Sequence, residues 1–373
     1  MWPEKNTAFV VIHGAGPHRP FQTLDSFVRG FWEVLKEQNQ ASKVQWKHKL
    51  QRHEGWIENC ISLAPEGRPT LDFYEYYWDC YMVHEVTIED VIDWLNKASA
   101  GARRFYAKMP ELAKEYEEAG VDLFKDGEFK SGGYLILFGW LGRVLRVLPL
   151  LRIPIADWII KPLLSVASKV IVDLLGDAVI YTTADVRSKN YEIRQKVLGS
   201  AVEELRLLLE NDYYEQIVVV GHSLGSVIAY DALNRITHDM SAKGGISPEL
   251  APKIVGLVTF GSPLDKIAFF FREHTADEEY VRRQVLAHFH GFKNLPLLGD
   301  QEPRPIENPI EPYLDKTRWL NFYHLQDPIS GPLDAYEVDR NICCEKEVQQ
   351  PNEAHSCYWT WDQMYRDIAA EFF

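Results

Sequence analysis

The sequence predicts an α/β fold: a mostly parallel sheet with helices on both faces and a helical cap or lid inserted into it. Three observations carry this. Short runs of β-branched and aromatic residues have the length and apolarity of buried strands, helical periodicity lies between them, and the strand at 217–220 runs through a glycine-rich turn straight into a helical pattern. The 373 residues exceed the length at which one compact core usually stops growing. The organisation expected is therefore a single domain over 1–373 with a large insertion.

The first strand is Thr7 to Ile12, and the second is Leu71 to Trp78. From about residue 83 to 185 the alternation stops, over a length that no simple strand-to-helix connection needs, and this stretch is read as a predominantly helical insertion. Its first half carries charged amphipathic patterns (IEDVIDWL and ELAKEYEEA), while its second half, 134–175, is strongly apolar. Arg143, Arg146, Arg152, Asp157 and Lys161 interrupt that half before it reaches the roughly 20 apolar residues of a membrane span. Two readings remain: short cap helices, divided by Pro149, Pro154 and Pro162, that face the core, or a peripheral membrane contact through Trp140, Trp158 and the leucines.

After the insertion, Ile193, Val197, Ala201, Leu205 and Leu208 recur at helical spacing. The third strand, Ile217 to Val220, follows. Ile254 to Phe260 and Trp319 to Leu325 are the fourth and fifth, and Asn341 to Val348 is a weaker sixth.

Composition narrows the function. Hydrophobic residues make up 46% of the chain, enough for a large core. A formal charge of −14 excludes the cationic surface that a nucleic-acid partner requires. Five scattered cysteines (Cys60, Cys80, Cys343, Cys344 and Cys357) fit reduced thiols, and Cys343 and Cys344 are read as packing residues. MWPEKN lacks the features of a secretory leader, so a cytoplasmic location is expected. No His or Cys pair combines ligand spacing with a nearby third ligand, and neither a metal nor a cofactor is expected.

The strongest chemical signal is IVVVGHSLGSVIAYDAL (217–233). Gly221, Ser223 and Gly225 form G-x-S-x-G between a β-branched run and an unbroken helical pattern. So sharp a turn strains the serine backbone, needs glycines where side chains would collide, and places the hydroxyl at a helix N-terminus that favours negative charge.

At GHSLG the sequence resembles the α/β-hydrolase superfamily, in particular its lipases and esterases. FVVIHGAG (9–16) is similar to the strand and His-Gly turn that supply half of the oxyanion hole in such enzymes. By that resemblance the donors are the backbone N–H groups of Ala15 and Leu224, while His13 orders the loop. The family's chain order is serine, acid, histidine, which leaves His238, His274, His288, His290, His324 and His355 as bases. Asp327, after the strand ending at Leu325, is the first choice of acid, and His355 is then the only histidine downstream. Asp265 in TFGSPLD is the alternative acid, and Asp334 a weaker third. His288 and His290, between aromatics, are assigned to a lid or loop.

The resemblance implies a serine hydrolase cleaving carboxylic esters through an acyl-enzyme on Ser223. The apolar 134–175 and IAFFFREH (267–274) suggest an acyl or lipid-like substrate. The same triad would serve a thioesterase, peptidase or acyltransferase, and a noncatalytic binding module or membrane-associated protein is the alternative of another class.

Overall fold

In the computed structural model, the residues described are 2–16, 18–37, 44–53, 56–82, 103–104, 106–118, 124–129, 176–182, 189–265, 279, 281–282, 285, 289–293, 310–327, 329–348 and 351–373. Strands β1 (Thr7–Ile12), β2 (Val44–His53), β3 (Trp56–Pro65) and β4 (Leu71–Tyr76) form the first half of the sheet, with helix α1 (Gln22–Glu37) between β1 and β2. Next come α2 (Pro110–Glu118), the short hairpin β5 (Phe124–Lys125) and β6 (Glu128–Phe129), and α3 (Lys189–Glu210). The second half holds β7 (Gln216–His222), α4 (Leu224–Ser241), β8 (Ile254–Phe260), β9 (Arg318–Tyr323), β10 (Arg340–Cys343), α5 (Pro351–Ser356) and α6 (Asp362–Phe372).

Among the described residues, eight strands make one sheet in the order β10-β9-β8-β7-β1-β4-β3-β2. Every pairing from β4 through β1 to β10 is parallel. The pairings of β3 with β4 and with β2 are antiparallel, so β3 alone runs against the other strands of this sheet.

The central strands are apolar throughout because both their faces are covered. Along β1, Ala8, Val10 and Ile12 join a core with α3 residues Val197, Leu205 and Leu208 and α4 residues Val227 and Leu233. The alternate residues Phe9 and Val11 join a second core with Phe27 and Phe31 of α1 and Tyr365 and Ile368 of α6. Period-two alternation thus sends one strand into two cores, and the helices occupy both faces as expected.

The hairpin β2/β3 is absent from the sequence expectations. Its strand VQWKHKLQRH is polar and basic rather than apolar, as suits the exposed edge of a sheet, where lysines discourage pairing with a second chain. Trp46 still packs edge-on against Trp32 of α1, their rings 4.9 Å apart.

Within the insertion, Tyr106, just ahead of α2, packs against Phe124 and Phe129 of the hairpin β5/β6. The apolar stretches 134–175 and 267–274, with His274 and His288, lie outside the described residues. No described helix is long and apolar enough to cross a membrane.

Candidate active site

The parallel strands all end on one edge of the sheet, where chains leaving β1, β7, β8, β9 and β10 converge. At the end of β7 the backbone reverses so sharply that Ser223 takes φ 51° and ψ −127° before entering α4. An L residue holds such a conformation only when its surroundings impose it, and three contacts do. Ser223 N–H donates to Phe260 O at 3.0 Å, tying the turn to the end of β8. A Cβ on Gly221 would lie 2.4 Å from Ser226 Cα, and one on Gly225 would lie 2.3 Å from Ile12 O. Only glycine permits the helix to start this close to the strand and to β1. The carbonyl of Ser223 accepts from Ser226 N–H at 3.0 Å and from Ser226 Oγ, which sits 2.7 Å from Ser262 Oγ. The Ser223 side chain makes no capping bond to the first-turn amides, so its hydroxyl is not committed to the helix.

Beyond β1, the His13–Gly16 loop packs on the turn: a Cβ on Gly14 would approach Ser223 Cβ to 2.8 Å. Two buried anchors fix this loop. His13 stacks on Trp78 at 4.8 Å and 7°. Its Nδ1 bonds Gly14 O at 2.9 Å, Trp78 N–H donates to its Nε2 at 3.2 Å, and Trp78 Nε1–H donates to His13 O at 2.9 Å. A ring giving a proton at Nδ1 and accepting one at Nε2 is neutral, and burial together with the neighbouring His18 lowers the His13 pKa to about 3. The second anchor is Asp177, also buried, whose carboxylate accepts Gly16 N–H at 2.8 Å. Ala15, between these anchors, is half-buried beside the first core.

On the opposite side, Asp327 follows β9 and His355 sits in α5. His355 Nδ1 lies 3.0 and 3.1 Å from the two Asp327 oxygens. The carboxylate is fully enclosed, and it also accepts Tyr358 O–H at 2.8 Å and Ile329 N–H at 2.9 Å. Burial pushes the Asp327 pKa up, but the His355 charge and these three hydrogen bonds outweigh it and hold the group well below the usual carboxylate range. The His355 ring also packs on Gly261, where a Cβ would lie 3.1 Å from its Cε1. Gly261 directly follows Phe260, the residue that receives the Ser223 amide.

His222 fills the space behind. Its ring lies 5.0 Å from that of His355 and its Nε2 donates to His355 O at 3.1 Å. Burial and the His355 charge lower its pKa to about 3.

The other acids and bases of the sequence reading have other partners. Asp265 accepts Asp334 N–H at 3.0 Å and Ala335 N–H at 3.3 Å, so it joins the turn at 334–335 to the end of β8. His324 accepts Gln326 N–H at Nδ1 and donates from Nε2 to Lys346 O. His238 lies in α4, beside Phe289. His290 offers its backbone carbonyl to Tyr230 O–H. Tyr358, Trp78, His222 and Asp177 were not singled out by sequence. Tyr358 lies only three residues past His355, and a buried carboxylate's need for further donors points to such a group. The contacts of Trp78 and Asp177 join distant parts of the chain and leave no local pattern.

Among the described residues, no group of three or more His, Cys, Asp and Glu is arranged to hold a metal ion. Comparison with characterised proteins and with solved structures finds no significant match. The family model for lipase (class 3) matches residues 167–287, which contain Ser223, Leu224 and Asp265 but not the His13–Gly16 loop, Asp327 or His355. With a mostly parallel sheet covered on both faces and a strained serine at its G-x-S-x-G turn, the fold is of the α/β-hydrolase type, and over residues 167–287 the chain is similar to the lipase (class 3) family.

Proposed function

We propose that the protein is a serine esterase acting on acyl or lipid-like esters through an acyl-enzyme on Ser223. The observation that carries this reading is the contact between His355 Nδ1 and the enclosed Asp327 carboxylate, beside the turn that strains Ser223. With its Nδ1 proton directed at Asp327, the His355 imidazole keeps its lone pair on Nε2. That nitrogen takes the Ser223 hydroxyl proton as Oγ attacks the ester carbonyl. Asp327 stays ionised and stabilises the imidazolium, in keeping with its depressed pKa. The N–H groups of Ala15 and Leu224 receive the oxyanion, each worth roughly 3 kcal/mol of barrier. The imidazolium then protonates the departing alcohol, and a water activated in the same way releases the acid. A lipid-like substrate is favoured by the lipase match and by the apolar composition of 134–175 and 267–274.

Fluorophosphonate labelling of wild type and Ser223→Ala, followed by a panel of esters of increasing acyl length, tests the reading. The label is expected on Ser223 alone, with turnover rising with chain length or on micelles. Label that persists in Ser223→Ala would move the nucleophile elsewhere, and a preference for acetate would remove the lipid-like substrate. Adding alcohol acceptors and thioester substrates to the same panel separates hydrolysis from acyl transfer and from thioester cleavage.

A further inference from the structure

Two thiols outside the proposed chemistry meet next to it. Cys344, just past β10, and Cys357, two residues past His355, lie with their sulfurs 3.6 Å apart, and both are buried. Such proximity of unlike segments is not a consequence of sequence, since twelve residues separate them. Each cysteine is also tied to its own segment. Cys344 N–H donates to Tyr323 O at 2.6 Å, extending the pairing with β9. Cys357 S–H donates to Ala354 O at 3.1 Å, inside α5. Cys357 also lies between the two side-chain donors of Asp327, His355 before it and Tyr358 immediately after. Lys346 bridges the same segments by donating to Thr360 O at 3.1 Å.

We propose that Cys344 and Cys357 form a redox modification site, closing to an intramolecular disulfide under hydrogen peroxide and reopening with a dithiol, and that closure lowers turnover by displacing His355. The effect on turnover rests on the reading of His355 as the base, whereas the cross-link does not. Of the two sulfurs, Cys344 is the readier thiolate. The hydrogen bond with the Cys357 thiol lowers its pKa against the opposing effect of burial, and the Lys346 backbone and charge add to the lowering. The Cys344 thiolate attacks one peroxide oxygen, the O–O bond breaks, and hydroxide leaves, giving a sulfenic acid. The Cys357 sulfur then attacks the Cys344 sulfur. The S–O bond breaks, the thiol proton leaves with that oxygen as water, and two electrons in all have passed from the thiols to peroxide. A disulfide has sulfurs about 2.05 Å apart, so the pair must close by about 1.5 Å. Because Cys344 is anchored to the sheet, that movement falls mainly on α5 and the residues after it, which carry His355 and Tyr358.

The test treats the reduced full-length protein with hydrogen peroxide, blocks remaining thiols, and maps the digested peptides by mass. The expected product is a cross-linked peptide pair joining Cys344 to Cys357, lighter by two hydrogens and restored by dithiothreitol. Ester turnover is expected to fall at least tenfold in the oxidised protein and to recover on reduction, while Cys344→Ser keeps its turnover under peroxide. Only sulfinic acids, or bridges to Cys343 or Cys80, would overturn the site. A quantitative cross-link with unchanged turnover would overturn its effect on His355. A protein that cross-links as expected but never cleaves an ester would instead overturn the function proposed above and leave the thiol site standing.

Discussion

Two histidines flank the turn at Ser223, His13 in the loop after β1 and His355 in α5, and the two rings have opposite settings. On the β1 side His13 has both ring nitrogens engaged by backbone groups, one with Gly14 O and the other with Trp78 N–H, and its ring is stacked on the indole. Among the described residues no acid bonds these nitrogens, and burial with the neighbouring His18 lowers the ring's pKa to about 3. On the β9 and α5 side His355 has one nitrogen on a carboxylate whose side chain is fully enclosed, while its own side chain keeps 19% exposure. Both imidazoles sit on segments that pack around the Ser223 turn, His13 buried and His355 half-buried. What separates them is the partner: backbone dipoles hold a ring in place as a neutral strut, whereas an ionised carboxylate stabilises the charge that a base acquires.

The sharpest way to break that contrast is to remove the carboxylate. Asp327→Ala is expected to lower kcat by about 10⁴-fold with little change in KM, because the imidazolium and its tautomer lose their support only when charge develops. Asp265→Ala, which removes an acceptor for two amides of the 334–335 turn, should cost about 1–2 kcal/mol of stability and less than tenfold in kcat. Steady-state kinetics of the two variants on one ester decides between the acids. Equal losses would dissolve the distinction drawn between the two carboxylates.

Titration of stability sharpens the same contrast. His13 and His222 are each lowered from 6.5 to about 3 in the folded protein, and burial lowers His18 in the same direction. Below pH 6.5 the unfolded chain therefore binds protons that the folded chain refuses. The stability these rings confer is complete above pH 6.5 and is lost as pH falls toward 3. Each fully neutral ring removes up to about 1.4 kcal/mol per pH unit in that window. Asp327 acts lower: its depressed pKa confers stability above its unfolded value of 3.8, lost as pH drops through the folded one. Glu75, raised by burial, opposes the histidine slope. Denaturant unfolding at pH 7 and pH 5 should show the loss in wild type and a shallower one in His13→Gln. A wild type equally stable at both would mean that the β1-side ring is not held neutral.

These two sides also differ in how far they can be read from sequence. β1 and β8 begin and end at the residues that the apolar runs mark, since strands covered on both faces are apolar from end to end. The turn at Ser223 is legible because the glycines it needs are local in sequence. Chain order after that turn puts forward Asp327 and His355, 28 residues apart, but no spacing states that they touch. The β2/β3 hairpin escapes the same reasoning because an edge strand with Lys47 and His48 need not be apolar. Least legible are the anchors of the His13 loop. Trp78 and Asp177 are 65 and 161 residues away from their partners, and only the closure of the sheet brings them in.

The smallest expected effect comes from the Tyr358 hydroxyl on the His355 side, which bonds Asp327 at 2.8 Å and also Ser330 Oγ at 2.9 Å. Tyr358 O–H donates to the Asp327 oxygen that also lies nearest His355 Nδ1, and its own pKa is driven up by burial and by that carboxylate, so it remains a proton donor throughout the working range. Tyr358→Phe keeps the ring in the core and removes only the hydroxyl. The carboxylate still accepts from His355 and from Ile329 N–H, so it is not left unsatisfied, and the expected cost is about 1 kcal/mol of stability and a fewfold loss in kcat. With one donor fewer the Asp327 pKa rises, so the acid limb of unfolding should move to higher pH while the histidine slope between pH 7 and 5 stays as in wild type. A change in that slope instead would mean that Tyr358 supports the neutral rings rather than the carboxylate, and the division between the two sides of Ser223 would have to be redrawn.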